Sequence, residues 1–455
     1  MLYHLSDYLA QYSSAARLSR YITFRTIMAM VTAFVFALIV GRPLINWLYR
    51  RKIRDVVRDY SVMSVESKKG TPTMGGLLIL ASLFFSIFLW GNFSSPYVYY
   101  LLFATVWFAI LGAIDDYHKI RYQDSDRGLS RGAKYLLQMG FGFIFGVMFL
   151  YSGTSPLPHP AKPSSCKTQW PSGCRSSCRV DADCLRRSCN VKGAVCHEGR
   201  CQAPACLNTT TNKALSCTTN DTCVAACGKN SKCYQPWRFQ VSALENIPFR
   251  PSQLYIPFVK YPIIDLSWLY LIVIILFIVY AANAVNFADG LDGLATVPTL
   301  FSYVVFGIYA YIFGNAILSS YLWFPMLPGA GEATVYCGAM VGALVGFLWF
   351  NAYPAEVFMG DTGSMALGGT LGTLMILLKQ EFLFFILGGI FLAEILSVMI
   401  QDWLGIQVLG RRILYRAPIH HTFQHRGMAE TKIVVRFWIV AGILALLALA
   451  ALKVR

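Results

Sequence analysis

Carboxylates are scarce in this 455-residue chain, with 23 Asp and Glu in all, so their positions are informative. Five of the aspartates fall in three short stretches. Asp115 and Asp116 stand in AIDDYHK, Asp289 and Asp292 in NAVNFADGLDGLA, and Asp361 in FNAYPAEVFMGDTGS. Each stretch closes or adjoins a long apolar run, where a carboxylate is costly and usually marks a functional site. Solvated helix ends are the plain alternative. Three clusters among Gly and Asn favour one shared site instead. Carboxylate and carbonyl oxygens suit Mg²⁺, which takes few protein ligands and prefers phosphate oxygens besides. Lys69, Lys119 and Lys134 lie beside the acids. Phosphoryl transfer needs such cations to neutralise developing charge, and positioning supplies most of the rest. Taken singly, each lysine reads as a surface anchor against anionic lipid.

Spacing refines the picture. Asp289 and Asp292 share a face if their stretch is a helical turn. Asp115 and Asp116 are adjacent, so their side chains diverge by about 100° on a helix, which favours two roles over one bidentate site. Gly290 and Gly293 let backbone approach a ligand closely, and Asn283 and Asn286 offer donors and acceptors near it. His420 and His421, in APIHHTFQHRG, have the chemistry to bind phosphate, metal or sugar, and an interface role is the alternative.

The elements that must position these residues are membrane helices. Apolar residues make up 56% of the chain and charged residues 14%, against about 25% charged in soluble domains. Mean hydropathy is +0.50. A spanning helix needs roughly 20 apolar residues. Candidate spans lie near 26–47, 74–92, 97–114, 135–152, 263–285, 296–313, 334–350, 364–379, 382–400 and 434–452. The fold class expected is therefore an all-α integral membrane protein of about ten transmembrane helices. Lys and Arg crowd the loops after the first and third spans and before the last, whereas 93–96 and 314–333 contain neither. That bias puts all three acidic loops in the cytoplasm and both termini outside. The net charge of +16 is partly this anchoring bias and does not by itself imply nucleic acid.

Residues 153–262 interrupt the rhythm, dividing the chain into 1–152 with spans one to four, 153–262 as an insert, and 263–455 with spans five to ten. All cysteines except Cys337 fall between Cys166 and Cys233. An even count at this density, on the outer side, reads as a disulfide framework. Zinc is the competing reading, with Cys174 and Cys178 as one short spacing. A long loop crosses the membrane largely regardless of its charge.

Five segments, in order, resemble the polyprenyl-phosphate N-acetylhexosamine-1-phosphate transferases. They are SKKGTPTMGG at 67–76, DDYHK at 115–119, NAVNFADGLDGLA at 283–295, FLWFNAYPAEVFMGDTGS at 347–364 and APIHH at 417–421. The branch most similar acts on the muramoyl-pentapeptide. The resemblance implies a ten-helix fold and a Mg²⁺-dependent reaction in a bacterial cytoplasmic membrane. UDP-N-acetylmuramoyl-pentapeptide and undecaprenyl phosphate would give lipid I and UMP in peptidoglycan synthesis. By the same resemblance Asp115, Asp116, Asp289, Lys119, Lys134, His420 and His421 are catalytic. One of Asp115 and Asp116 would deprotonate the lipid phosphate or act as nucleophile. Lys69, Thr73, Asn283, Asn286, Asp292, Asn351 and Phe358 would bind substrate, and Asp361 would hold the metal. Two features depart from the family pattern. Thr422 and Gln424 stand where a third histidine and a glutamate are usual, and the insert replaces a short external loop. The partners expected are the two substrates, with no nucleic acid; a homodimer and an outside partner for the insert stay open. Competing readings are a paralogue transferring N-acetylglucosamine-1-phosphate, a degenerate membrane scaffold that binds through the insert, and a transporter. A transporter would usually show repeats or broken midplane helices, and the sequence has no such repeat.

Overall fold

The structure, a computed structural model, describes residues 18–19, 21–53, 70–122, 128–151, strand segments between 195 and 234, 251–259 and 262–454. Lys69 lies outside the described residues, as do the side chains of the cysteines between 166 and 233.

The described chain is mostly helical, because its apolar runs can satisfy their backbone groups in lipid only as helices. In order the helices are α1 (Ile22–Arg50), α2 (Gly76–Trp90), α3 (Pro96–Tyr122), α4 (Arg131–Tyr151), α5 (Tyr270–Ala288), α6 (Thr296–Phe313), α7 (Ala316–Tyr321), α8 (Gly331–Asn351), α9 (Gly360–Leu377), α10 (Leu383–Leu387), α11 (Gly389–Met399), α12 (Ile419–His425) and α13 (Glu430–Ala450). Eight stretches are long and apolar enough to cross a membrane: α1, α3, α4, α5, α6, α8, α11 with its continuation to Val408, and α13. The second predicted span, 74–92, is a shorter apolar helix, α2. The eighth, 364–379, is α9, whose GDTGSMALGGTLGT run is small and polar. The ninth, 382–400, is not one straight helix. It breaks after Leu387 at Gly388 and resumes as α11, which runs into a π-helical segment, Ile400–Val408.

The chain divides into two compact units. One comprises residues 1–156, 252–314 and 330–455, and holds every helix above except α7. Within it α8 packs on α1 and α6, α9 packs on α3 and α5, and α4 leans on α5. In the spanning stretch of α8, 78% of residues are buried, against 22% for α1. The outer helices turn apolar side chains such as Ile39, Leu136 and Leu446 outward, which suits a hydrocarbon solvent. Polar side chains join the inner helices, as small interhelical hydrogen bonds do in membranes. Thr105 of α3 meets the Tyr336 hydroxyl of α8 at 2.6 Å, and the Tyr303 hydroxyl of α6 donates to the Leu367 carbonyl at 3.1 Å. Away from the acidic loops, Arg25 of α1 forms a buried pair with Glu332 of α8 and also donates to the Trp90 carbonyl.

The other unit comprises 157–251 and 315–329. Short antiparallel strands form here: β1 (Val195–His197) with β2 (Arg200–Gln202), and β3 (Ala205–Asn208) between β4 (Ala214–Ser216) and β5 (Ser231–Tyr234). The register sets Cys196 opposite Cys201 and Cys206 opposite Cys233. The predicted disulfide framework itself lies outside the described residues. Of the stretch 240–262, predicted to be extended or irregular, Gln253–Leu254 pairs with Ile264–Asp265.

Candidate active site

Four helices deliver one knot of charge. Asp115 and Lys119, one turn apart on α3, meet Lys134 from the first turn of α4 and Asp361 from the first turn of α9. Lys119 Nζ lies 2.8 Å from Asp115 Oδ2 and 3.1 Å from Asp361 Oδ2. Lys134 Nζ lies 2.7 Å and 2.9 Å from the same two oxygens. Asn286, near the end of α5, donates to Asp361 Oδ1 at 3.0 Å and to Ser364 Oγ at 2.9 Å. Asp115 is fully buried, and its Oδ1 accepts the Leu129 N–H at 2.7 Å. The side chains of Lys119, Lys134 and Asp361 remain 28%, 22% and 14% exposed. One side of the knot is thus open to a ligand.

Asp116 faces elsewhere. Its Oδ1 accepts the Asp361 N–H at 3.0 Å, and its Oδ2 accepts the Thr362 N–H at 2.8 Å and the Thr362 hydroxyl at 2.6 Å. These donors open α9, and helix starts leave such groups unpaired. Asp116 is therefore an N-cap supplied by another helix, and its charge also suits the helix dipole. Gly360 makes the turn into α9 with φ +75, and a Cβ there would lie 2.8 Å from Asp116 Oδ2. The divergence expected of adjacent residues on a helix is what separates Asp115 from Asp116.

A second polar layer braces the loops. Asn351 Oδ1 accepts from Gly293 N–H at 3.0 Å and Thr296 hydroxyl at 3.1 Å, while its Nδ2 donates to the Val357 carbonyl at 3.0 Å. Asp292 Oδ2 accepts the Ala355 N–H at 3.1 Å, and its N–H donates to Glu430 at 3.1 Å. Phe358 pairs its backbone with Pro72 and Gly75 on the strand-like run that holds buried Thr73. Asp289 caps the end of α5, beside Asn286.

Some expected residues point away from the knot. Asn283 exchanges hydrogen bonds with Gln138 of α4 and bonds the Val279 carbonyl. His421 Nδ1 pairs with Gln424 at 2.9 Å, and Thr422 closes its loop through the backbone of Arg416. His420 is buried against Glu394 of α11. Sequence reasoning missed Thr362, Ser364, Gln138, Glu430 and Glu394. Only Glu394 carried a readable signal, as a carboxylate inside an apolar run.

Among the described residues no three His, Cys, Asp or Glu side chains converge as a ready-made metal cage. Mg²⁺ does not require one, since it is commonly held by one or two carboxylates, substrate phosphates and water. Asp361 and Asp115 present neighbouring oxygens, and the buried Oδ2 of Asp115 faces the same two ammonium groups as Asp361 Oδ2. The donor set fits that ion.

A helical membrane bundle that gathers acids and lysines at helix ends is the architecture of an enzyme handling charged groups at the bilayer surface. Residues 237–379 match glycosyl transferase family 4, and residues 68–80 match the phospho-N-acetylmuramoyl-pentapeptide-transferase signature 1. The phospho-N-acetylmuramoyl-pentapeptide-transferase of Nitratidesulfovibrio vulgaris strain DP4 is 35% identical over 455 residues, the whole of both chains. Those of Desulfotalea psychrophila and Desulfosudis oleivorans are 37% identical over the same full lengths. The chain belongs to the phospho-N-acetylmuramoyl-pentapeptide-transferase family.

Proposed function

We propose that the chain transfers phospho-N-acetylmuramoyl-pentapeptide from UDP to undecaprenyl phosphate, releasing UMP and forming lipid I for peptidoglycan. The observation that carries this reading is the knot of Asp115, Asp361, Lys119 and Lys134 at the ends of membrane helices, in a chain matched end to end by enzymes of that name.

In the reaction an oxygen of the lipid phosphate bonds to the sugar-bearing phosphorus, and the bond from that phosphorus to UMP breaks. Lys119 and Lys134 bind and orient phosphate oxygens, because their ammonium groups sit at the open side of the knot. Asp115 is the carboxylate placed to take the proton of the incoming lipid phosphate, or to hold that phosphate through the two lysines. Asp116 holds the start of α9 and so aims Asp361. The N-terminus of α9 adds a positive end to the same place, which favours anions. Asp361 is the residue that would hold Mg²⁺, with Asp115 beside it, and the bound ion would neutralise charge on the diphosphate. Asn351, Asp292 and Phe358 tie together the loops that would enclose the nucleotide. The lysine-rich loops support a cytoplasmic location for this face, with the insert on the outer side of the membrane.

The test is UMP release by purified protein with undecaprenyl phosphate and Mg²⁺, supplied with each UDP-sugar in turn. Turnover of UDP-N-acetylmuramoyl-pentapeptide is expected. Turnover of UDP-N-acetylglucosamine alone would make the chain a paralogue, and no turnover of either would make it a scaffold.

A further inference from the structure

Glu394 belongs to α11, inside an apolar stretch, and is fully buried. Its Oε2 lies 3.0 Å from Nδ1 of His420, which is 1% exposed. A carboxylate has no proton to give, so Nδ1 carries the hydrogen of this contact. The other ring nitrogen, Nε2, is buried and has no hydrogen-bond partner among the described residues. A buried polar atom left unpaired is costly and calls for a role.

Nε2 points at a particular place. A Cβ built on Gly290 would lie 2.3 Å from it and 2.7 Å from Cε1. Gly290 sits in the ADGLDG turn between Asp289 and Leu291. Only a glycine lets that turn lie so near the ring. The imidazole is thus gripped from behind by one helix, and its unused nitrogen is aimed at the turn that carries two of the acidic residues. The His421 ring lies beside it at a tilt of 54°, with ring centroids 4.2 Å apart, but its own Nδ1 is engaged by Gln424.

We propose that Glu394 is a positioning residue. Its carboxylate takes the Nδ1 hydrogen of His420 and fixes Nε2 as the ring atom offered, at the Asp289–Gly290 turn, to a phosphate oxygen of the nucleotide-linked substrate. The carboxylate also balances the charge of an imidazolium, so that Nε2–H donates to that anionic oxygen. Carboxylate–histidine pairs of this kind set tautomer and ring orientation at metal sites by the same physics. The inference rests on the transferase reading above.

The experiment is a double-mutant cycle on the full chain in nanodiscs, with UMP release as one readout and ¹⁵N-histidine spectra as the other. His420→Asn removes Nε2 while keeping a donor toward Glu394, and the resonances it deletes identify His420. Glu394→Ala and His420→Asn should each lower kcat/KM by roughly 10–100-fold, the range seen for lost orienting partners. The double variant should fall within about threefold of His420→Asn alone, because the two residues act as one unit. Glu394→Asp should recover part of the loss, and the Nδ1–H signal of His420 should vanish in Glu394→Ala. Losses that multiply in the double variant, or an Nδ1–H signal unchanged without Glu394, would overturn the proposal. If Glu394→Ala does not fold, Glu394→Met fills similar space without an oxygen acceptor and is judged by the same criterion. If the wild type releases no UMP, the transferase reading fails, and the labelled spectra alone then decide the positioning role.

Discussion

Asp116→Asn tests whether the cap on α9 matters to turnover. Asp116 accepts three hydrogen bonds, at 3.0, 2.8 and 2.6 Å, across its two oxygens. Asparagine keeps one acceptor oxygen and places an amide NH₂ where the other stood. Kept on the Thr362 side, the oxygen loses the Asp361 N–H, and the surviving bonds lose their charge. A hydrogen bond to a charged group contributes about 1.5–3 kcal/mol and a neutral one about 0.5–1.5. The change thus costs about 2–4 kcal/mol of support for the residue that would hold Mg²⁺. Expressed wholly in the transition state, that is roughly 30- to 1,000-fold in kcat. Thr362→Val removes only the hydroxyl bond, and at about 1 kcal/mol it should cost roughly fivefold. The assay is UMP release at saturating lipid phosphate across a Mg²⁺ titration, with melting temperature measured alongside. Asp116→Asn should also need more Mg²⁺ for half-maximal rate. A folded Asp116→Asn protein with kcat and Mg²⁺ dependence close to wild type would refute the capping argument.

Asp361→Ala should lower turnover by several orders of magnitude, since it removes the carboxylate that faces both lysines; near-normal rates at saturating Mg²⁺ would rule it out as the metal ligand. Arg25→Leu leaves Glu332 buried without its partner, a loss of about 3–5 kcal/mol, so thermal unfolding should shift down while activity per folded molecule holds; an unchanged melting temperature would discount the pair. Thr422→His should change substrate affinity modestly, because Thr422 braces Arg416; an inactive native chain rescued by this change would mark a degenerate enzyme. Replacing residues 157–251 by a short loop should preserve UMP release, and mass spectrometry of the unreduced protein should find the twelve insert thiols blocked; stoichiometric zinc on free thiols would contradict the disulfide reading.

The helices were legible because their apolar runs are long and their ends are marked by charge. The eighth span was read as starting at residue 364, whereas α9 starts at Gly360. Its first turn is polar, and its first N–H groups are answered by a cap from α3. The ninth was read as continuous to 400, and nothing local announces that Gly388 breaks it or that the helix persists to Val408. The five segments named the charged knot, because acids and lysines are rare here. They could not show how Asn283 and Asn351 are used, since an amide bracing a neighbour and an amide awaiting a ligand look alike in one dimension. Thr362 and Ser364 were hidden for the same reason. Glu394 alone stood out as a carboxylate inside an apolar span, but its partner His420 lies 26 residues further on, and the pairing is visible only in the fold.

The cap on α9 comes from a residue 245 positions earlier in the chain. A helix entering the bilayer from the ribosome has no access to that cap until α3 and α9 meet. Until then the first N–H groups of α9 lack the acceptors that Asp116 supplies. The start of α9 is thus completed by a long-range contact rather than by its own sequence.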